Sequence, residues 1–186
     1  PKAPLAICLH GFPEYWGAWQ RQLPELLNAG YRVWMPDMRG YGRSECPPKV
    51  ADYRTDILAD DIAALIQASG TQRCMLIAHD WGAVVAWFVA AKYPQLIDKM
   101  VIANVPHPRV MRRTVLRSLR QFLASWYIFF FQLPFLPELI LSLFNFKVLS
   151  KIMTSSANEN SFSAEDMEGY RAAWRTSGLS SMLAYY

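Results

Sequence analysis

The sequence predicts an α/β fold, a mostly parallel sheet with helices on both faces, followed by an all-helical segment. Three observations predict it. Short apolar runs without alternation recur at residues 5–9, 31–35, 74–78 and 100–103, the pattern of strands buried on both faces. Segments with helical spacing fall between them. After Pro106 the apolar runs lengthen, turn aromatic and carry no further strand pattern.

The elements follow in order. Residues 5–9 (L-A-I-C-L) form the first strand, ending in His10-Gly11. Residues 16–28 have apolar side chains at helical spacing, closed by Gly30. The second strand, 31–35, ends in Pro36-Asp37. Residues 53–68 place Ile57, Leu58, Ile62, Leu65 and Ile66 roughly on one helical face, with Gly70 as the stop. The third strand, 74–78, ends in His79-Asp80. Residues 82–92, small and apolar nearly all round, predict a buried helix stopped by Pro94. The fourth strand, 100–103, ends in Asn104-Val105-Pro106. Alternation of strand and helix implies parallel strands joined by right-handed crossovers. Residues 154–163, with Ser155, Ser156, Asn158, Asn160 and Ser161, read as a polar loop. Ser163 with Asp166 three positions on marks a helix start leading into 167–174. The boundary falls at Pro106–Pro108, dividing a partial α/β core (1–106) from an incomplete helical lid (107–186).

Composition narrows the function classes. The chain has 186 residues, 53% hydrophobic and 18% charged, enough apolar surface to exclude a disordered chain. A net charge of +4, dispersed along the chain, argues against a nucleic-acid partner. Three cysteines without a C-x-x-C pair exclude a disulfide scaffold; Cys8 and Cys74, in apolar runs, predict buried free thiols and a reducing, cytoplasmic setting. The uncharged stretch 121–137 is broken by Pro134 and Pro137 and is too short to span a bilayer. Arg109, Arg112, Arg113, Arg117 and Arg120 precede it, so it reads either as an apolar lid beside a solvated basic face or as peripheral membrane contact on an anionic surface.

The chemistry concentrates at Ala78-His79-Asp80-Trp81-Gly82-Ala83, between a buried strand and a buried helix. Small residues on both sides of Asp80 suit a sharp strand-to-helix turn that presents the central side chain at the carboxyl edge of the sheet. A carboxylate, with an ordinary pKa of about 3.9, is a nucleophile at neutral pH without help from a base. The helix N-terminus behind it favours its anionic form. In a plain loop Asp80 would read as a helix cap. The second signal is His10-Gly11-Phe12-Pro13, where Gly11 permits an unusual backbone and the Phe12 N–H can join the Trp81 N–H as an oxyanion hole. Asp37, Arg39 and Arg43 read as stabilisers of the loop after the second strand. Trp16 reads equally as substrate pocket and as helix packing.

At these residues the chain resembles the epoxide hydrolases of the α/β-hydrolase fold. The likeness runs from His10 to the end and is carried by His10-Gly11-Phe12-Pro13, Arg39-Gly40-Tyr41-Gly42-Arg43-Ser44, His79-Asp80-Trp81-Gly82 and Asn104-Val105-Pro106-His107-Pro108. Ala78 stands where the family often has glycine. The resemblance implies a helical lid after the fourth strand and two lid tyrosines that hydrogen-bond the epoxide oxygen. Tyr127 fits the first. Tyr186, ending Gly178-Leu179-Ser180-Ser181-Met182-Leu183-Ala184-Tyr185-Tyr186, fits the second; packing is the alternative for both. The implied mechanism is attack by Asp80 on an apolar epoxide, an ester intermediate, and water attack on that ester with the oxyanion held by Phe12 and Trp81. Phe12, Trp81 and Trp16 would line the pocket. No metal or organic cofactor is implied.

The three histidines, His10, His79 and His107, do not fit the family's base, and Asn104 stands where some dehalogenases carry the acid. His79, beside Asp80 on a strand, is expected to point away from it. The chain therefore reads as the central part of a larger hydrolase, with Pro1 and Tyr186 as internal cut points and without the means to complete a turnover. Haloalkane dehalogenase is the enzymatic alternative, through the Asp80-Trp81 pair; Phe12 stands where those enzymes commonly have Asn, and Trp81 where fluoroacetate dehalogenases more often have Arg. A non-catalytic binding protein on the same scaffold is the alternative of another class.

Overall fold

The computed structural model describes residues 3–155, 157–159 and 161–186, without the side chains of Val115, Leu116 and Leu119. Pro1, and Ser156 and Asn160 of the expected loop, lie outside the described residues.

Four parallel strands form one sheet: β1 (Leu5–Leu9), β2 (Arg32–Trp34), β3 (Cys74–His79) and β4 (Ile97–Ala103), in the order β2-β1-β3-β4. β1 is buried throughout, the outcome expected of an uninterrupted apolar run with neighbours on both sides. Its partners put Leu5 and Leu9 opposite Cys74 and Ala78 of β3. The chain goes one way from β1 to β2 and the other way from β2 to β4. Right-handed crossovers therefore place α1 (Leu23–Asn28) on one face and α2 (Thr55–Ala68) and α3 (Asp80–Lys92) on the other, where those two pack together. The reversal leaves a crevice at the carboxyl ends of β1 and β3.

α2 buries Leu58, Ala59, Ile62, Ala63 and Ile66. α3 buries Gly82, Ala83, Val85, Ala86 and Val89 beneath the sheet. Two expectations need correction. The helix expected over 16–28 is a one-turn 3-10 helix (Trp16–Trp19) followed by α1. Pro24 has no N–H and is tolerated only in a first turn, so the regular helix starts at Leu23. The fourth strand begins at Ile97, ahead of its expected start at Met100, and is half exposed, with Val101 51% accessible. It stands last of the four strands described, and among the described residues of β4 Ile97, Met100 and Ile102 pack on the core.

Beyond β4 the described elements are all helical: α4 (Pro108–Arg117), α5 (Leu119–Ala124), α6 (Trp126–Phe131), α7 (Leu136–Ser155), α8 (Ala164–Ser177) and α9 (Leu179–Leu183). The apolar stretch 121–137 is thus split over short helices; among the described residues no helix is long and apolar enough to cross a membrane. α7 breaks at 144–146, where Phe144, Asn145 and Phe146 take positive φ. α8 starts as expected. The Ser163 hydroxyl accepts the Asp166 N–H, and the Asp166 carboxylate accepts the Ser163 N–H. Side chains join the helical segment, expected as a lid, to the sheet-bearing part: the Trp174 indole donates to the Pro13 carbonyl, Ser181 to that of Gly40 and Tyr185 to that of Arg39.

Candidate active site

Asp80 is the last step out of β3 and the first residue of α3, with φ of 50°. Left-handed backbone at a non-glycine residue costs roughly 1–3 kcal/mol and persists only where its surroundings enforce it. Here they do. A Cβ on Gly82 would lie 2.4 Å from the Leu9 carbonyl oxygen, and one on Gly11 would lie 2.4 Å from the Asp80 Cβ. The turn is sharp because the first strand passes directly against it, and only glycines fit at the two contacts.

The loop after β1 is held at three points. His10 is fully buried; its Nε2 accepts the Met38 N–H at 3.0 Å, so Nδ1 carries the proton and donates to the Gly11 carbonyl at 3.0 Å. Burial pushes its pKa down, which keeps the ring neutral. The Phe12 N–H donates to Asp80 Oδ1 at 2.8 Å, across 68 residues of sequence. The Gly11 N–H donates to Glu14 Oε2 at 3.0 Å, and the same oxygen lies 3.2 Å from His79 Nδ1. Burial pushes the Glu14 carboxyl up, but the His79 hydrogen bond and charge outweigh it and the pKa falls; the Glu14 hydrogen bond holds His79 above its ordinary value. The Trp81 N–H belongs to the first turn of α3, whose N–H groups have no partner within a helix.

Asp80, Phe12, Tyr127, Phe131, Leu149 and Tyr186 share the wall of one cavity of about 800 Å³, set between the sheet edge and the lid. Tyr186 is the hub of its aromatic lining. Its ring centroid lies 4.8 Å from Phe131, 5.5 Å from Phe12 and 6.1 Å from Tyr127, and behind the wall 5.2 Å from Trp81. Burial first, and the nearby Asp80 carboxylate second, push both the Tyr127 and Tyr186 phenols up, so both are protonated at neutral pH. Tyr185 has a different task, since its hydroxyl is spent on the Arg39 carbonyl.

The structure thus brings Asp80, Phe12, Tyr127 and Tyr186 together. It does not bring in Trp16, which is 42% exposed, meets the Tyr15 ring edge-on and is not on the cavity wall. The Trp81 ring packs against Tyr185 and Tyr186 and is also not on the wall. His79 differs from expectation: with Glu14 it lines the same cavity as Asp80, because Asp80 has left the strand and strict alternation no longer applies. Asp37 accepts the Trp16 and Arg43 N–H groups and Arg39 pairs bidentately with Asp61, so this loop is stabilised as expected. His107 accepts the Arg109 N–H and packs on Trp87. A second cavity of about 380 Å³ lies between this loop and α2, with none of the site residues on its wall. Sequence reasoning missed the Glu14–His79 pair; its only trace was a carboxylate three residues after Gly11. Cys8 and Cys74 are buried free thiols, pushed up by burial to about 11 and about 12, while Cys46 is exposed.

Residues 4–175 match the family model described as alpha/beta hydrolase fold. Among curated proteins, the chain is 41% identical over 184 residues to the AB hydrolase superfamily protein YfhM of Bacillus subtilis, covering 98% of this chain and 64% of that protein. It is 40% identical over 172 residues to epoxide hydrolase 4 of Homo sapiens, covering 90% of this chain and 47% of that protein. Among solved structures, it superposes on a Bacillus megaterium epoxide hydrolase in complex with an inhibitor with a TM-score of 0.92 at 33% identity, covering 98% of this chain and 64% of that one. The epoxide hydrolase VrEH1 of Vigna radiata gives a TM-score of 0.85 at 34% identity, with 99% and 64% covered. The chain therefore spans about half to two thirds of the length of these relatives.

Proposed function

The chain belongs to the α/β-hydrolase fold family, and on that premise we propose that it carries the ring-opening half of an epoxide hydrolase acting on small apolar epoxides. One observation carries the reading. A strained carboxylate and two protonated phenols share an apolar cavity large enough for an aryl or alkyl epoxide.

Asp80 Oδ1 is already engaged by the Phe12 N–H, which leaves Oδ2 as the attacking atom. Oδ2 forms a bond to a ring carbon while the carbon–oxygen bond breaks and its electron pair passes to the epoxide oxygen. The Tyr127 and Tyr186 hydroxyls donate hydrogen bonds to that oxygen as charge develops, and one supplies its proton. The product is an ester on Asp80 whose carbonyl oxygen stays at the Phe12 N–H, with the Trp81 N–H as the second donor when water attacks. Glu14 and His79 hold the Gly11–Phe12 loop in register. His10 is committed through both ring nitrogens and His107 to the lid entrance, so the base for ester hydrolysis is not assigned to a histidine of this chain.

The test is incubation of the full-length protein with an aryl epoxide and, separately, a haloalkane. Diol release that falls by at least about 1,000-fold in Asp80→Asn supports the reading. Halide release without diol formation replaces it with a dehalogenase. Saturable binding of both compounds with neither product makes the protein a binding module.

A further inference from the structure

The lid carries a surface that the reaction does not use. Arg109, Arg112, Arg113, Arg117 and Arg120 are all exposed, and none is paired with a carboxylate among the described residues. Residues 99–137 contain no Asp or Glu at all. Arg109, Arg113 and Arg117 recur at four-residue intervals, so they share one face of α4. α5 and α6 follow directly, and beyond Arg120 their most exposed residues are apolar. Leu123 is 61% exposed, Trp126 64% and Phe129 57%, and the Phe122 and Phe129 rings touch at 5.8 Å. Here exposed aromatics stand next to an unneutralised cationic face.

We propose that the outer face of α4–α6 docks on an anionic phospholipid bilayer. The arginines meet the headgroup phosphates, and Phe122, Leu123, Trp126 and Phe129 enter the boundary between headgroups and acyl chains. Charge complementarity chooses this partner, because a segment with five exposed arginines, unpaired with a carboxylate among the described residues, and no acid of its own seeks a polyanion. The exposed leucine and phenylalanines choose a lipid over a nucleic acid or an acidic protein loop, which would leave them in water. α6 also links the surface to the site, since Trp126, Tyr127 and Phe130 line the cavity. On the epoxide reading above, docking sets the cavity mouth beside the phase in which an apolar epoxide dissolves.

The experiment is co-sedimentation of the full-length protein with vesicles of phosphatidylcholine alone or with about 30% phosphatidylserine. Binding to the anionic vesicles only, weakened by salt and lowered about fivefold per arginine in Arg109→Ala, Arg113→Ala and Arg117→Ala combined, is the expected result. Phe122→Ser with Phe129→Ser removes binding while circular dichroism and activity on a water-soluble epoxide stay unchanged. Equal binding to neutral vesicles, no binding to either, or no effect of the arginine variant overturns the proposal. Concentration-dependent dimerisation lost in the Phe122→Ser/Phe129→Ser variant, without vesicle binding, assigns the face to a second copy instead. Vesicle binding is read without turnover, so its failure is separable from failure of the proposed activity.

Discussion

The two walls of the cavity are built on different principles. The sheet-side wall places Asp80 by backbone clearance. Gly11 and Gly82 sit where a single added carbon would meet the next chain at 2.4 Å, and one N–H from another strand's loop fixes the carboxylate. The lid-side wall places Tyr127 of α6 and Tyr186, just past the end of α9, by ring packing, edge to face at 4.8 to 6.1 Å. Backbone clearance is all-or-none, whereas ring packing yields in small steps. Asp80 is therefore expected to be rigid, and Tyr127 and Tyr186 adjustable.

Glycine-to-alanine substitution breaks the comparison most sharply. Gly82→Ala puts its methyl group against the Leu9 and His10 carbonyl oxygens, which belong to the fully buried β1 and the residue that follows it and cannot retreat. A loss of about 3 kcal/mol or more in urea unfolding is expected. A cost below about 1 kcal/mol would show that the turn is looser than its contacts imply. On the lid side, effects are smaller. Tyr127→Phe and Tyr186→Phe should each lower kcat/KM for an epoxide by about 10- to 100-fold, with the fold intact by circular dichroism.

Gly169→Ala, within α8, is the matched control to Gly82→Ala. Its methyl group meets only the Tyr15 ring, with the hydroxyl nearest at 2.5 Å, the end of a half-buried side chain that must shift against Trp16 and Tyr170 rather than a backbone that cannot. The change also removes a helix-interior glycine, worth up to about 1 kcal/mol in its favour. The loss in urea unfolding should therefore stay well below that of Gly82→Ala, at about 1–2 kcal/mol at most.

The smallest effect tests the sheet-side loop. His79 has a raised pKa, so its contribution is full below its ordinary 6.5 and is lost as pH rises through the folded value. Glu14 has a lowered pKa, so its contribution is full above its ordinary 4.5 and is lost as pH falls through the folded value. The pair stabilises most between these limits. Asp80 acts in the same direction on His79, and His10 on Glu14. The stability gap between wild type and Glu14→Gln should peak near about pH 5–6 and shrink above about pH 7, by less than about 1 kcal/mol because His79 is partly solvated.

Much of the sheet-side wall is legible in the amino-acid order alone. β1 and β3 announce themselves as unbroken apolar runs, and Ala78, Gly82 and Ala83 around Asp80 leave room for only one kind of turn. The capping pair Ser163 and Asp166 is equally plain. Pro24, which divides the first helical stretch, is visible but outweighed by apolar spacing. β4 starts ahead of the run Met100–Ala103 that marks it, because Asp98 and Lys99 interrupt the apolar pattern in front of that run. The Glu14–His79 pair joins residues 65 positions apart and exists only because β1 and β3 are neighbours. The break of α7 at 144–146 has no glycine or proline to signal it.

The most direct test of the central claim is rapid mixing of the full-length protein with excess aryl epoxide, acid quench, and mass analysis of the peptide holding Asp80. The account predicts a gain of one epoxide mass on Asp80, cleaved by mild base and absent from Asp80→Asn. Diol production with no adduct on that peptide, undiminished in Asp80→Asn, would contradict it.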